Sequence, residues 1–403
     1  MSVNYKILFI KDHFLSGVKL HIARFMGIIF VNLSLISFAG GRTVGRQSID
    51  NRISAGKVIY VSKLGDNSDG SNWRKAYHTI QAALSAVPDE KGGYKIIIRP
   101  DTYIEANLYP SYKGAAGSYN ELLGDYDGEE GSGSAGWVVI DSGDPGKGFK
   151  SHDWWGTMKA TVKSYSSEYT DETFSGLIWD RWKFRNLYVT GADAGLFWDM
   201  TDKSGSEFSV IVEDCVSIGR AFGGGVAGMI CRKDEPVVFR RTYLMSLDWW
   251  GDAGAAYVRA HHKEPCDNYD IIFDDCTLLA PDNAIQGGNY GFEVFSRIKI
   301  KNCRLIVTNF SQPVGKPSTG IINVKVKGEF LHVDFEDCSL IGYKVFGVGD
   351  DQDKSDIPYS IKGRVCAYIQ YQQAIPEGME RIGNWPVEVF NSIGRFRIRD
   401  MNK

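Results

Sequence analysis

A short pattern recurs along this 403-residue chain and constrains its fold more than any other feature. Two polar residues are followed by Cys or a neutral residue and then by alternating apolar residues, as in Asp274-Asp275-Cys276-Thr277-Leu278-Leu279. The third position of each copy falls at residues 187, 215, 242, 276, 303 and 338, in steps of 28, 27, 34, 27 and 35 residues. A period of this length, stretched by insertions, is typical of a solenoid whose coils stack on one another.

Four of the seven cysteines share this repeat position: Cys215, Cys276, Cys303 and Cys338. Stacked coils place equivalent residues about 4.8 Å apart, so we expect an inward-facing ladder of small apolar side chains. Disulfides or metal binding are the alternatives. Because the sequence has no Cys-x-x-Cys motif and no zinc-like Cys/His spacing, it predicts no metal centre.

The first forty residues have the features of a targeting segment. Lys19, His21 and Arg24 precede an apolar run over 27–38, which is too short to span a bilayer. We therefore expect a signal peptide over 1–40, a secreted protein and no membrane span after its removal. An uncleaved anchor is the alternative.

Net charge excludes one class of partner. The chain carries 46 basic and 49 acidic side chains, a net charge of −3. It lacks the strong excess of positive charge that binding to nucleic acid requires, so we expect no nucleic-acid partner. The sequence does not define an oligomeric state.

Three segments near the N-terminus occur in a characteristic order. Tyr60-Val61-Ser62 reads as a strand, Thr79 can cap a helix that starts at Ile80, and Asp101-Thr102-Tyr103-Ile104-Glu105 reads as a turn. This order resembles the entrance to the pectate-lyase-like right-handed parallel β-helix superfamily, although Asp101 replaces the usual Gly of the turn. The resemblance implies an all-β chain: a right-handed parallel β-helix over 57–345 with a capping helix near 79–87 and long loops on one face. Residues 346–403 would complete the same domain.

The candidate site comes from two loops that align with an offset of 29 residues, 225–236 and 254–265. This alignment predicts that Arg232 and Lys233 lie against His261 and His262 on neighbouring coils. The candidate catalytic residues are His261, His262, Asp248, Asp252, Arg232, Arg259 and Lys263. The candidate substrate-binding residues are Trp249, Trp250, Lys233, Asp199, Asp282, Gln286, Asn289 and Tyr290.

These residue types fit an acidic polysaccharide as substrate. Indole faces cover sugar rings, and Arg matches a carboxylate. In a uronate lyase, His261 or His262 would remove a proton while Arg232, Arg259 or Lys263 neutralised the carboxylate. In a hydrolase, Asp248 and Asp252 would flank the bond, with Asp282 as an alternative partner.

Two non-catalytic alternatives stay open, a glycan-binding or surface β-helix and an adhesive fibre. The motifs of two enzyme families with this fold are not matched. Arg297-Ile298-Lys299 lies inside an expected strand, without the paired aspartates of polygalacturonases, and the sequence blocks of pectin methylesterases are missing.

Acidic clusters raise the question of calcium. The two clusters are Asp125, Asp127, Glu129 and Glu130, and Asp350, Asp351, Asp353 and Asp356. Neither has a recognised calcium-loop spacing, so solvated acidic loops are favoured and no cofactor is required.

Overall fold

The structure is a computed structural model that describes residues 58–143, 176–200, 205–247, 253–287, 294–308, 320–324, 330–348, 357–369 and 375–382. These residues form short strands, one helix and two 3₁₀ turns. The signal peptide expected over 1–40 lies outside the described residues, and the domain boundaries 57–345 and 346–403 stay predictions. Among the described residues, no helix combines the length and apolar character needed to cross a membrane.

The strands are numbered in chain order. They are β1 (Val58–Val61), β2 (Lys95–Ile98), β3 (Thr102–Ile104), β4 (Asn120–Gly124), β5 (Val138–Asp141), β6 (Trp182–Arg185), β7 (Leu187–Asp199), β8 (Ser206–Phe208), β9 (Val210–Glu213), β10 (Val216–Cys231), β11 (Val237–Arg240), β12 (Tyr243–Ser246), β13 (Gly254–Ala260), β14 (Ile271–Asp274), β15 (Thr277–Ala280), β16 (Ile285–Gly287), β17 (Ser296–Lys301), β18 (Arg304–Val307), β19 (Ile322–Val324), β20 (Leu331–Glu336), β21 (Ser339–Gly342), β22 (Phe346–Val348), β23 (Tyr359–Lys362), β24 (Cys366–Ile369) and β25 (Glu380–Arg381). The 3₁₀ turns are Trp73–Lys75 and Gly176–Trp179.

The strands form three parallel faces. Face A is a ten-stranded sheet in the order β1-β2-β4-β6-β9-β11-β14-β17-β20-β23. Face B runs β3-β5-β7-β10-β12-β15-β18-β21-β24-β25, and face C runs β7-β10-β13-β16-β19-β22. The long strands β7 and β10 bend and belong to both faces B and C. The chain is a right-handed parallel β-helix, as the family resemblance predicted, and this hand is the one that parallel crossovers adopt.

The core fills the inside of the coils. Burial alternates along many strands of faces A and B, such as β11 and β12, whereas β10, β13, β16 and β19 are buried at nearly every position. Aromatic side chains pack on one another both between and within coils: Phe239 and Phe273 of successive coils stack with ring centroids 5.5 Å apart, and the rings of Phe184 and Trp198, on one coil, have centroids 5.1 Å apart. Stacked rings of this kind add to the hydrophobic stabilisation that comes from area alone.

Six sharp corners join face A to face B. The corner residues Asn186, Asp214, Arg241, Asp275, Asn302 and Asp337 all have φ between 47° and 55°. Asn and Asp adopt this left-handed conformation more readily than other non-glycine residues, which explains why five of the six are Asn or Asp.

The residue after each corner forms the predicted ladder. The strand register aligns positions 187, 215, 242, 276, 303 and 338, and all four ladder cysteines are buried free thiols. Each thiol donates to the carbonyl two residues earlier, for example Cys303 Sγ to Lys301 O at 3.0 Å, and the Thr242 hydroxyl does the same to Arg240 O at 2.9 Å. Burial raises the pKa of Cys215 to about 12 and that of Cys338 to about 11. These thiols are therefore protonated and unreactive at neutral pH.

The helix expected near 79–87 is present as α1 (Ile80–Ser85). Thr79 is its N-cap, and the Glu105 carboxylate accepts hydrogen bonds from the backbone N–H groups of Ile80 at 2.7 Å and Gln81 at 2.9 Å. The Glu105 carboxylate of this turn therefore satisfies two backbone N–H groups at the start of the helix, which have no partner within the helix. Ile80 and Leu84 are buried in the main core, whereas the role of the helix as a cap over the first coil stays a prediction.

Candidate functional site

The candidate site lies on face C, at the ends of β10 and β13. Ala256 and Val258 point into the main core, so the alternate residues Tyr257 and Arg259 lie on the opposite side of the strand. His261 follows directly after β13, at the next position with the same alternation. The sequence thus places an aromatic ring, a guanidinium and an imidazole in one row.

Small residues on the preceding coil make room for this row. Gly225 pairs with Tyr257, and Ala227 pairs with Arg259. A Cβ atom at Gly225 would lie 1.9 Å from the backbone oxygen of Tyr257, so only glycine fits there. On the coil before, Asp199 pairs with Ala227 and therefore shares a column with Arg259.

The register between the two loops differs from the sequence alignment. Ala227 pairs with Arg259 and Met229 with Ala260, which are offsets of 32 and 31 residues, not 29. The offset is already 32 residues where Phe222 pairs with Gly254, and a bulge between Ala227 and Met229, in which Gly228 has φ of 81°, reduces it to 31. The prediction that Arg232 lies against His261 is therefore wrong.

His261 is half-buried between positive charges. Its backbone N–H donates to Met229 O at 2.7 Å, which fixes the residue against the end of β10. Burial lowers the pKa of His261, and the charges of Arg259 and Lys263 lower it further. The imidazole is therefore neutral near pH 7 and able to accept a proton while cations lie beside it.

Arg232 forms a structural ion pair. Its Nη1 and Nη2 atoms each donate to the buried Asp180 carboxylate at 2.7 Å, and Nε donates to Glu207 at 3.1 Å. Two carboxylates already neutralise this guanidinium. The sequence hypothesis that Arg232 neutralises a substrate carboxylate is corrected accordingly.

His262 is also held by the protein. Its Nε2 atom lies 2.6 Å from Oδ1 of Asp270, a fully buried carboxylate, and 3.7 Å from Sγ of Cys231. The other oxygen of Asp270 accepts from the backbone N–H of Arg297 at 2.8 Å. With its Nε2 directed into this cluster, His262 is a poorer candidate for the base than His261.

The predicted binding residues within the described ranges differ in accessibility. Lys233 and Lys263 are exposed, whereas Asp199 is only 6% exposed and Asp282 only 3%. Gln286 is completely buried, and its side-chain oxygen accepts from Asn323 at 3.0 Å on the next coil. Gln286 therefore belongs to a polar ladder between coils, which corrects its assignment to sugar binding.

The remaining predicted site residues are outside the described ranges. These residues are Asp248, Trp249, Trp250, Asp252, Asn289 and Tyr290. Their roles stay predictions.

The acidic loop at 125–130 stabilises its own backbone. The buried Asp125 carboxylate accepts from the N–H groups of Glu130 at 3.0 Å and Ser132 at 2.9 Å, and Glu130 pairs with Lys95. Carboxylates used in this way have fewer lone pairs for calcium. The second acidic cluster, over 350–356, lies outside the described residues.

Sequence reasoning missed Cys231, Cys266 and Asp270, which lie beside this site around the predicted His262. Within the described part of the chain, the one group of His, Cys, Asp or Glu side chains close enough to share a metal ion is Cys231, His262 and Cys266. The buried Asp270 carboxylate adjoins it through His262. Two signals could have found the group: Cys231 aligns with His262 under the true register, and Cys266 follows His262 by four residues.

The fold and the stacked row on face C define a parallel β-helix with a candidate site at one edge of its outer surface. Among solved structures, the crystal structure of pectate lyase Pel9A is similar, with a TM-score of 0.46 and 12% identity over 82% of this chain and 75% of that chain. No protein-family model and no curated protein matches the sequence.

Proposed function

We propose that the protein is a secreted enzyme that cleaves an acidic, uronate-containing polysaccharide by β-elimination, with His261 as the base. The observation that carries the proposal is the half-buried imidazole of His261, whose pKa is lowered by burial and by Arg259 and Lys263. A base for this reaction must be unprotonated at working pH and must lie beside positive charge.

The proposed reaction uses the row on face C. His261 removes the proton on the carbon next to the uronate carboxyl group, and Arg259 and Lys263 stabilise the negative charge that develops. The electron pair then forms a carbon–carbon double bond, and the glycosidic oxygen leaves with the electrons of its broken bond and takes a proton from water. Arg259, only 5% exposed, acts as a fixed charge at a distance, and the exposed Lys263 contacts the substrate carboxylate.

Substrate binding would extend beyond this row. Lys233, an exposed cation on the neighbouring coil, offers a contact for a second carboxylate. In the proposal, Trp249 and Trp250 cover sugar rings, and Asn289 and Tyr290 bond to hydroxyl groups. Asp199 lies in the same column as Arg259, two coils away, and Asp282 lies buried near β16.

The proposal is tested with purified full-length protein and a panel of acidic glycans. The expected result is ultraviolet absorbance from unsaturated products together with new reducing ends. The H261A variant should lose at least ~100-fold in kcat/KM, the usual range for loss of a general base. The matched control is H332A, because His332 pairs with Asp334 on face A, away from the row.

Three outcomes would contradict β-elimination by His261. Reducing ends without unsaturated product would indicate a hydrolase, for which Asp248 and Asp252 are the candidates. Glycan affinity that survives H261A, without turnover by either protein, would indicate the non-catalytic alternative. Equal rates for H261A and H332A would remove His261 from the mechanism.

A further inference from the structure

We propose that Cys231, His262 and Cys266 form a structural zinc site that fastens the loop after β13 to the end of β10. Cys231 is the last residue of β10, whereas His262 and Cys266 lie in the connection between β13 and β14. This inference does not depend on the proposed function, because it concerns how the loop is held.

The distances between the three ligand atoms suit one tetrahedral ion. Sγ of Cys231 lies 3.7 Å from Nε2 of His262 and 3.9 Å from Sγ of Cys266, and all three atoms are within 4.8 Å of one another. Zinc bonds of about 2.3 Å to sulphur and about 2.0 Å to nitrogen separate two ligand sulphurs by about 3.8 Å and sulphur from nitrogen by about 3.5 Å. Small side-chain adjustments therefore suffice to bind the ion.

Asp270 supplies the fourth group. Its Oδ1 atom lies 2.6 Å from the same Nε2 atom that faces Cys231. In the metal-free protein this contact is a hydrogen bond. With zinc at Nε2 this hydrogen bond is lost, and the carboxylate has to move toward the ion to become its fourth ligand, because in the described part of the chain only Cys231, His262 and Cys266 place ligand atoms within 4.8 Å of one another.

The surroundings favour a structural role over a catalytic one. Cys231 is only 8% exposed and Asp270 is fully buried, whereas His262 and Cys266 are partly buried, so the ion would lie in a largely enclosed position with Asp270 as its nearest further ligand. Two thiolates and an imidazole form the ligand set that zinc prefers over calcium or magnesium.

The other explanation of the cysteine pair is a disulfide between Cys231 and Cys266. Their sulphurs would have to approach from 3.9 Å to about 2.05 Å, and His262 would have no part in the bond. The two explanations therefore differ in their dependence on His262.

The test is metal binding by the full-length protein, purified under reducing conditions and stripped with a chelator. Titration with Zn²⁺ alone should give one ion per chain, and Co²⁺ in its place should give thiolate-to-cobalt charge-transfer absorbance. The H262Q and C266S variants should weaken Zn²⁺ binding at least ~100-fold. The C366S control should bind like the wild type, because Cys366 lies in β24 on face B.

Two results would overturn the proposal. One is a wild-type protein that shows no charge-transfer band with Co²⁺, a measurement that does not require any variant to fold. The other is an intact mass, measured without reductant, two hydrogens lower in both wild type and H262Q, which would establish the disulfide.

Discussion

At the scale of single residues, His261 owes its proposed role to its neighbours. Burial and two nearby cations disfavour the imidazolium form, so the lowered pKa keeps the ring unprotonated to more acidic pH than an ordinary histidine. If His261 is the base, activity falls only when the pH drops through this lowered pKa.

The K263Q variant tests this electrostatic effect. Removal of the Lys263 charge should raise the pKa of His261, so the acid limb of kcat/KM against pH should move to higher pH. The shift, and not the rate itself, is the readout. The control is K91Q, because Lys91 pairs with Asp89 far from face C. An acid limb that is identical in K263Q, K91Q and wild type would show that His261 does not control the titration.

At the scale of elements, the corners between faces A and B explain why the sequence predicted the strand register there but not on face C. The repeat aligned residues 187 to 338 correctly because each corner has a left-handed residue followed by a buried one, which is Cys or Thr in five of the six copies and Leu in the first. Face C has no such marker. Its strands pair with offsets of 32 and then 31 residues, so the sequence alignment, with an offset of 29, paired Arg232 with His261, whereas Cys231 lies beside His262.

The same argument explains the missed metal ligands. Cys231 and Cys266 lie outside the repeat position, and Cys231 lies one coil before His262 and Cys266. Spacing rules for zinc describe ligands that are close along one chain segment, so they do not detect a pair separated by a coil. Likewise, the composition around Gln286 and Arg232 suits a binding site, and only their contacts with Asn323 and Asp180 reveal structural roles.

The N302A variant tests the corner. Asn302 has φ of 52°, a conformation that costs alanine more than asparagine. We expect N302A to lower the free energy of unfolding by about 1 kcal/mol, measured by urea denaturation. N302G should lose less, because glycine adopts this conformation without steric cost. The control is N268A at an exposed site with ordinary φ; equal losses in N302A and N268A would contradict the explanation.

At the scale of the whole molecule, a column of charges runs along the outside of face A. The register aligns seven residues whose signs alternate from coil to coil: Arg185, Glu213, Arg240, Asp274, Lys301, Glu336 and Lys362. Oε1 of Glu213 lies 2.9 Å from Nη1 of Arg240, and Nζ of Lys301 lies 3.3 Å from Oε1 of Glu336. Opposite charges on adjacent strands stabilise the pairing, whereas like charges would oppose it.

The E213Q variant tests the contribution of this column. Burial would raise the pKa of Glu213, but the hydrogen bond from Lys183 and the charges of Lys183, Arg241 and Arg240 hold it below its usual value. At pH 7, E213Q should be less stable than wild type by about 1–3 kcal/mol.

The difference in stability between wild type and E213Q should decrease as the pH falls. A carboxyl group with a lowered pKa in the folded state contributes fully above its unfolded pKa of about 4.3 and loses that contribution as the pH falls through the folded value. Denaturation of both proteins from pH 7 to 3 should therefore show the gap closing in acid. The control is E90Q, at an exposed site, which should match wild type throughout. A gap that is constant with pH would mean that Glu213 acts through packing alone.

The alternation on face A has a consequence for how such a molecule can change in length. Deleting one coil from the middle of the column would bring two residues of the same sign into direct opposition, while deleting two adjacent coils would keep every neighbour opposite. Shortened or extended versions of this protein, whether arising in nature or in the laboratory, should therefore tolerate steps of two coils better than steps of one.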